Sequence, residues 1–181
     1  MIYELPDGYF VRALYASDLA GPYPHWFEDQ EVCKFNSHGK LAKNSDWFKS
    51  YYESANRDDR VVWAICHRDD GHIGNISLQD MSSVNRNAEF AILIGDRRHW
   101  GKSVGHNAGQ ALLTHGFLKM NLERIYCGTA ASNVGMQRLA RGLGMVEEGC
   151  RRKHLFLEGQ YVDVIEYGIL RSEFLTRNGN P

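Results

Sequence analysis

Two groups of residues could do chemistry. The first is Trp100-Gly-Lys-Ser-Val-Gly-His-Asn-Ala108, which follows the β-rich apolar run Ala88-Glu-Phe-Ala-Ile-Leu-Ile-Gly95. A strand that feeds a glycine-bearing turn and then a helix aims backbone N–H groups and the positive end of a helix dipole at one point. That arrangement suits a phosphate group. The second is Glu89, an acid set inside the apolar run. Strand alternation puts Glu89, Ala91 and Leu93 on one face and Phe90, Ile92 and Ile94 on the other. Apolar surroundings raise the proton affinity of a carboxyl group in general, the property a general base needs. Glu89 is then either a base or a tie across the sheet to Arg86 or Arg124.

The turn is not a nucleotide-hydrolysing P-loop. That motif places four residues between its first glycine and Gly-Lys-Ser, because the loop must wrap the phosphates. Counting back from Gly101 reaches Asp96, whose charge would repel a triphosphate, and Gly95 is out of register by one residue. A dinucleotide fingerprint is absent too, since Gly-x-Gly-x-x-Gly does not precede this helix.

Composition narrows the remaining classes. The chain has 181 residues and a formal net charge of -1, with no basic run, which argues against nonspecific nucleic-acid binding. Cys33, Cys66, Cys127 and Cys150 form no Cys-x-x-Cys pair, so neither zinc nor a disulfide framework is expected. The start lacks a signal peptide's basic end and apolar core, and no apolar stretch is long enough to span a bilayer. The expectation is a single cytoplasmic domain over residues 1–181, with no metal and no membrane partner.

The elements that must position these groups follow from periodicity. Strands are expected at Phe10–Leu14, Val61–Cys66, Ile73–Leu78, Ala88–Ile94 and Arg124–Thr129, with a closing pair near Met145–Leu157 and Tyr161–Leu170. Helices are expected near Asp18–Phe27, from Ser45, at Val104–Met120 and at Val134–Arg141. Residues 176–181 read as a disordered tail. The class is α/β, with a mixed sheet.

The turn Arg98-His-Trp-Gly101 resembles that of the GNAT superfamily of acetyl-CoA-dependent N-acetyltransferases, which reads Arg/Gln-x-x-Gly-x-Gly/Ala. Ser103 stands where Gly or Ala is usual, and Gly105 matches a further glycine of the RimJ/RimL-like branch. Landmarks of that branch continue in order at Ile73–Leu78, Asn85–Glu89, Asn121–Ile125, Ala131-Ser-Asn133, Gly142–Gly149 and Phe156–Asp163. The resemblance implies a mostly antiparallel twisted sheet of about six or seven strands flanked by about four helices.

It also implies acetyl-CoA as co-substrate, with the pyrophosphate held by Arg98, Gly101, Lys102, Ser103, Val104, Gly105 and His106. The pantetheine arm would run along the backbone of Ala91, Ile92, Leu93 and Ile94 and meet Asn133, which also suits a helix N-cap. Glu89 would take the proton of a primary amine. His72 and His154 stand behind it as candidates.

The acid that many relatives use on the departing sulfur is missing. Its tyrosine position falls on Ala140, the branch's serine position on Met136 and its base position on Leu155. Ser132 or water is left to assist. The acceptor is expected among His25–Glu31 and Phe35–Gly39, whose aromatic and hydrogen-bonding groups suit an amino sugar, including a nucleotide-linked one. Trp26 and Phe27 could instead simply pack the first helix. A protein N-terminus is the alternative acceptor, a non-catalytic acyl-CoA-binding module the alternative role, and a homodimer the assembly relatives often form.

Overall fold

Apolar β-branched runs set the sheet. The computed structural model describes residues 2–36, 40–57 and 59–179. Its strands are β1 (Ile2–Glu4), β2 (Tyr9–Ala13), β3 (Asn56–Arg57), β4 (Arg60–His67), β5 (Gly71–Ser82), β6 (Asn87–Ile94), β7 (Arg124–Ala130), β8 (Val146–Leu157) and β9 (Gln160–Leu170). The helices are α1 (Ser45–Ser54), α2 (Val104–Leu118), α3 (Val134–Gly142) and α4 (Arg171–Arg177). One sheet runs β1-β2-β4-β5-β6-β7-β9-β8, with the two-residue β3 paired to β4. Every pairing is antiparallel except β6 with β7. The strand count exceeds expectation because β1 and β3 are too short to carry an alternation signal.

Alternation sorts the side chains to two faces. Phe90, Ile92 and Ile94 join the main core with Ile76 and Leu78, covered by Leu112, Leu113 and Phe117 of α2, Ala140 of α3 and Phe174 of α4. Leu93 packs with a separate aromatic cluster of Tyr23, Trp26, Val32 and Phe48 on the other face. Burying one Leu- or Phe-sized side chain contributes roughly 1.5–3 kcal/mol, so both faces hold the strand in register. Within α2 the buried stripe runs through Ala108, Gly109, Leu112, Leu113, Gly116 and Phe117. Leu118 is 42% exposed.

Two expectations at the ends are corrected. The stretch Asp18–Phe27 is not one α-helix but two short 3-10 turns, Ala16–Ala20 and Pro24–Phe27. Gly21, Pro22 and Pro24 interrupt it, since proline donates no backbone hydrogen bond. At the other end, Thr176 and Arg177 are ordered as the last turn of α4, with Arg177 Nη2 donating to Gly142 O at 2.8 Å. Residues 180 and 181, and Ser37, His38 and Gly39 of the expected acceptor segment, lie outside the described residues.

Candidate active site

The cleft begins where two strands part. β6 and β7 pair in parallel only over Asn87–Glu89 with Arg124–Tyr126, and Glu89 opposite Tyr126 is the last rung. Beyond it Phe90 to Ile94 remain bonded to β5, while their other edge has no ladder partner among the described residues. Unpaired strand backbone is a ready template for an extended ligand with amide groups. A cavity of about 1000 Å³ opens there, lined by Glu89 through Ile94, by Gly128 and Thr129 of β7, and by residues of the turn into α2.

That turn is held from below. Asp96 accepts from the Arg98 backbone N–H at 3.0 Å and from the Arg98 guanidinium at 2.6 Å, and these bonds hold its carboxyl below the usual carboxylate range. Arg98 also reaches Asp70 at 3.1 Å. The Trp100 indole N–H donates to Ile94 O at 2.9 Å and fastens the turn to the end of β6. Gly101 (φ 75°) and Ser103 (φ 58°) both take the left-handed conformation. No side chain caps α2, so the first-turn N–H groups of the helix remain open. Gly101 through His106, with the Lys102 ammonium among them, all line the cavity.

The floor beside Glu89 is a polar ladder. Gln79, Ser77 and Asn75 of β5 stand opposite Glu89, Ala91 and Leu93 of β6, and all six line the cavity. Gln79 Nε2 donates to Glu89 Oε2 at 2.9 Å. The arginines that could have tied Glu89 into the sheet are engaged elsewhere, Arg86 with Asn121 and Arg124 with Glu148.

Below Asn75 lies a buried ionic cluster. Asp18 receives both guanidinium nitrogens of Arg12 at 2.8 Å; burial raises its carboxyl, and these bonds outweigh that and lower it. His72 Nε2 sits 2.8 Å from Asn75 Oδ1 and 2.9 Å from Gly74 O, and burial lowers the histidine's pKa. With two acceptors there, Nε2 is assigned the hydrogen.

The far wall is aromatic. Tyr23, Phe27, Phe35, Trp47 and Tyr51 line it, with Asn36 and one charge of each sign, Glu31 and Lys34. Trp26 is buried behind it, its ring filling the space where a side chain on Gly95 would project.

A model of the Acetyltransferase (GNAT) domain matches residues 10–146. The chain is a GNAT acetyltransferase. A spermidine N(1)-acetyltransferase of Vibrio cholerae is 30% identical over 145 residues, 74% of this chain and 83% of the relative. A crystal structure of the Vibrio cholerae spermidine N-acetyltransferase with CoA and spermine superposes with a TM-score of 0.83 at 24% identity, covering 93% of this chain and 98% of that one. RimL, a ribosomal L7/L12 α-N-protein acetyltransferase in complex with coenzyme A, gives 0.84 at 17% identity over 94% and 98%. The structural likenesses establish the mixed fold.

In this GNAT acetyltransferase, Glu89, Ala91 through Ile94, Gly101 through His106 and Asn133 come together on one cavity wall or its rim. Two expected residues do not. Arg98 is turned into its carboxylate partners, and Ser132 is exposed beyond the walls. Asn133 Oδ1 accepts from Met136 N at 3.1 Å, so the helix-cap reading of its side chain is observed. Met136 lines the cavity, Ala140 is buried in the core and His154 is exposed beside Arg151.

Among the described residues no group of His, Cys, Asp and Glu could hold a metal, and no helix is long and apolar enough to cross a membrane. Asn75, Ser77 and Gln79 belong to no motif, but polar residues at every second position of an apolar strand mark a face turned to a cavity. Arg138, a cation on the cavity rim five residues beyond Asn133, carries no such signal.

Proposed function

We propose that this chain moves the acetyl group of acetyl-CoA onto a primary amine by direct attack. The observation that carries this reading is the parting of β6 from β7 at Glu89, which opens a strand edge leading to a turn of open amides. Those features fit the cofactor: the turn amides and Lys102 suit its pyrophosphate, the β6 edge its pantetheine amides, and Arg138 a further phosphate. When bound, acetyl-CoA supplies the thioester carbonyl that the amine attacks.

The protein's own part is proton handling and placement. Glu89, fixed by Gln79, accepts the amine proton where the strands diverge. An open N–H of the β6 edge stabilises negative charge on the carbonyl oxygen. Met136 and Ala140 offer no proton, so water serves the departing sulfur. A thiol with an ordinary pKa near ~8.5 leaves without a strong acid.

The acceptor that the far wall suits is an amine on an uncharged, hydroxyl-bearing ring, an amino sugar free or nucleotide-linked. Aromatic faces would hold the ring, and Asn36, Asn75, Ser77 and Gln79 its hydroxyls. A protein N-terminus is the second reading, favoured by the cavity's volume of about 1000 Å³.

Two measurements test the proposal. Saturating acetyl-CoA, at a hundred times its dissociation constant, adds ~2.7 kcal/mol and should raise the melting temperature by roughly 5–10 °C. Thiol release would then be followed with glucosamine, a nucleotide-linked amino sugar, spermidine and a peptide with a free N-terminus. Absence of a thermal shift would overturn the cofactor site. Release with the peptide alone would replace the amino sugar by the second reading.

A further inference from the structure

The polar ladder under the cleft has a direction. His72 Nε2 lies 2.9 Å from Gly74 O and 2.8 Å from the Asn75 side chain. A backbone carbonyl only accepts, so Nε2 carries a hydrogen, and the Asn75 atom that shares it is Oδ1. The assignment holds in either charge state of the ring, because a second proton would sit on Nδ1, 3.6 Å from Asp18 Oδ1. With Oδ1 turned to the buried histidine, Asn75 presents its Nδ2 hydrogens to the cavity that it lines. Tyr23 lines the same cavity. Burial pushes its phenol up, Tyr51 adds to that, and a hydrogen bond from Asn75 pulls it back.

At the other end of the ladder the order is reversed. Gln79 Nε2 donates to Glu89 Oε2 at 2.9 Å, which leaves Gln79 Oε1 to accept. Ser77, between them, both gives and takes. The three stand opposite Glu89, Ala91 and Leu93, all lining the cavity. Glu89 and Gln79 thus form an accepting end, fit for the N–H groups of the reacting amine. Asn75 forms a donating end four residues along the strand, roughly 13 Å away.

We propose that His72 is a positioning residue for the acceptor: by holding Asn75 as a contact that donates, it makes the site choose an amine whose far end carries an oxygen. This deepens the acceptor reading above and rests on the acetyltransferase reading. A hydroxyl, carbonyl or phosphoryl oxygen satisfies Asn75, whereas an ammonium has hydrogens alone and leaves the amide unpaired. Leaving a buried donor unpaired costs more than the bond itself gains, so the penalty sets the choice. Such a choice needs a fixed amide. An asparagine free to turn over accepts as readily as it donates, and His72 removes that freedom.

The test uses two probes that differ at one end: an eight-carbon chain with an amine at its head and either a hydroxyl (aminooctanol) or a second amine (diaminooctane) at its tail. KM and kcat are measured by thiol release on the full chain at saturating acetyl-CoA. Wild type should favour aminooctanol about tenfold, and in KM rather than kcat. H72L lets Asn75 turn over and should bring the two KM values together. H72Q keeps a donor at the Nε2 position and should hold the wild-type preference. No charge enters in this comparison at Asn75, so the direction of the hydrogen bond is what it reads. A wild type that takes both probes equally, or takes neither, would overturn the proposal. So would a shift in the KM ratio below about threefold in H72L, or an equal shift in H72Q. If H72L loses the stabilisation by acetyl-CoA, N75S takes its place: its hydroxyl gives and takes, and its ratio should also lie near one. If amino sugars, peptides and both probes all fail to release thiol, the acetyltransferase reading falls. Titration of the two probes onto the CoA-saturated protein, followed by NMR, then still decides which end Asn75 prefers.

Discussion

The two walls of the cleft are made of different material. Along β6 and the turn into α2 the working groups are backbone: an unpaired strand edge and the open N–H groups of a helix start. Across the cavity they are side chains: the rings of Tyr23, Phe27, Trp47 and Tyr51. A backbone site tolerates almost any side chain that preserves its dihedral angles. A side-chain site changes with each substitution. One wall can therefore keep a common cofactor while the other adapts to a new amine. The walls meet at Glu89, which belongs to the strand of the first and faces the second.

The strongest way to break this division is at that meeting point. Glu89→Gln keeps the bond to Gln79 and removes the base. It should lower kcat by about 10²–10⁴-fold, the usual range for a general base, with the affinity for CoA changed less than about twofold. A rapid-quench or thiol-release assay beside a CoA titration checks both numbers. Unchanged kcat would take Glu89 out of the mechanism.

Gly101→Glu attacks the backbone wall alone. No atom stands within 4 Å of where its Cβ would be, so steric collision is not the issue. The cost arises from φ 75° for a residue with a side chain and from a carboxylate beside phosphate. Together they should weaken CoA binding by about 100-fold or more. Calorimetry that shows undiminished binding would place the phosphate site elsewhere.

Gly95→Ala tests the seam between the walls. Its new methyl carbon would lie 1.9 Å from Trp26 Cδ2, an impossible distance, so the aromatic cluster must move. Overpacking of this kind costs roughly 1–3 kcal/mol. Chemical denaturation should show that loss, and KM for the amine should rise more than KM for acetyl-CoA. Equal changes would mean that the walls do not behave as separate units.

A weaker effect comes from the ionic cluster under Asn75. Burial lowers the pKa of His72, so the folded state binds fewer protons than the unfolded chain below the ordinary histidine value. Stability is therefore fully present above about pH 6.5 and is lost as pH falls through the lowered folded-state value. The melting temperature should decline between pH 7.5 and 5.5, and the decline should be shallower in His72→Gln. An identical slope in the variant would move the effect to His99 and His115, which burial also shifts downward.

The same contrast explains what could be read beforehand. Strand β6, the turn and α2 were legible, because a backbone site leaves a motif: glycines and a serine at fixed spacing after a strand with a clean alternation. The acceptor wall was not. Tyr23 and Trp47 are far apart in sequence, and only the folding of two 3-10 turns and α1 over the sheet brings them together. Arg98 stands at the motif position, but its guanidinium is paired with Asp96, two residues before it, and with Asp70 of the β4–β5 hairpin, and a motif shows neither bond. Period-2 polarity in Asn75-Ile-Ser-Leu-Gln79 was available, and it could have marked the floor.

The finest test of the backbone wall is Ser103. Relatives usually place Gly or Ala there, and φ 58° shows why glycine fits: this is the left-handed region, which costs a residue with a Cβ roughly 1–2 kcal/mol. The serine hydroxyl makes no capping bond to α2, so the free protein gains nothing local in exchange. Ser103→Gly therefore removes strain, but it also gives the unfolded chain more freedom, which takes back roughly 0.4–1 kcal/mol. The net should be a small stabilisation of the free protein, a rise in melting temperature of about 1–3 °C. CoA binding separates two roles for the hydroxyl. If Ser103 donates to phosphate, the glycine variant will bind CoA about tenfold more weakly although it is more stable, since a hydrogen bond to a charged group contributes about 1.5–3 kcal/mol. If the amides alone carry the phosphate, affinity will hold or improve, and the wall is backbone throughout.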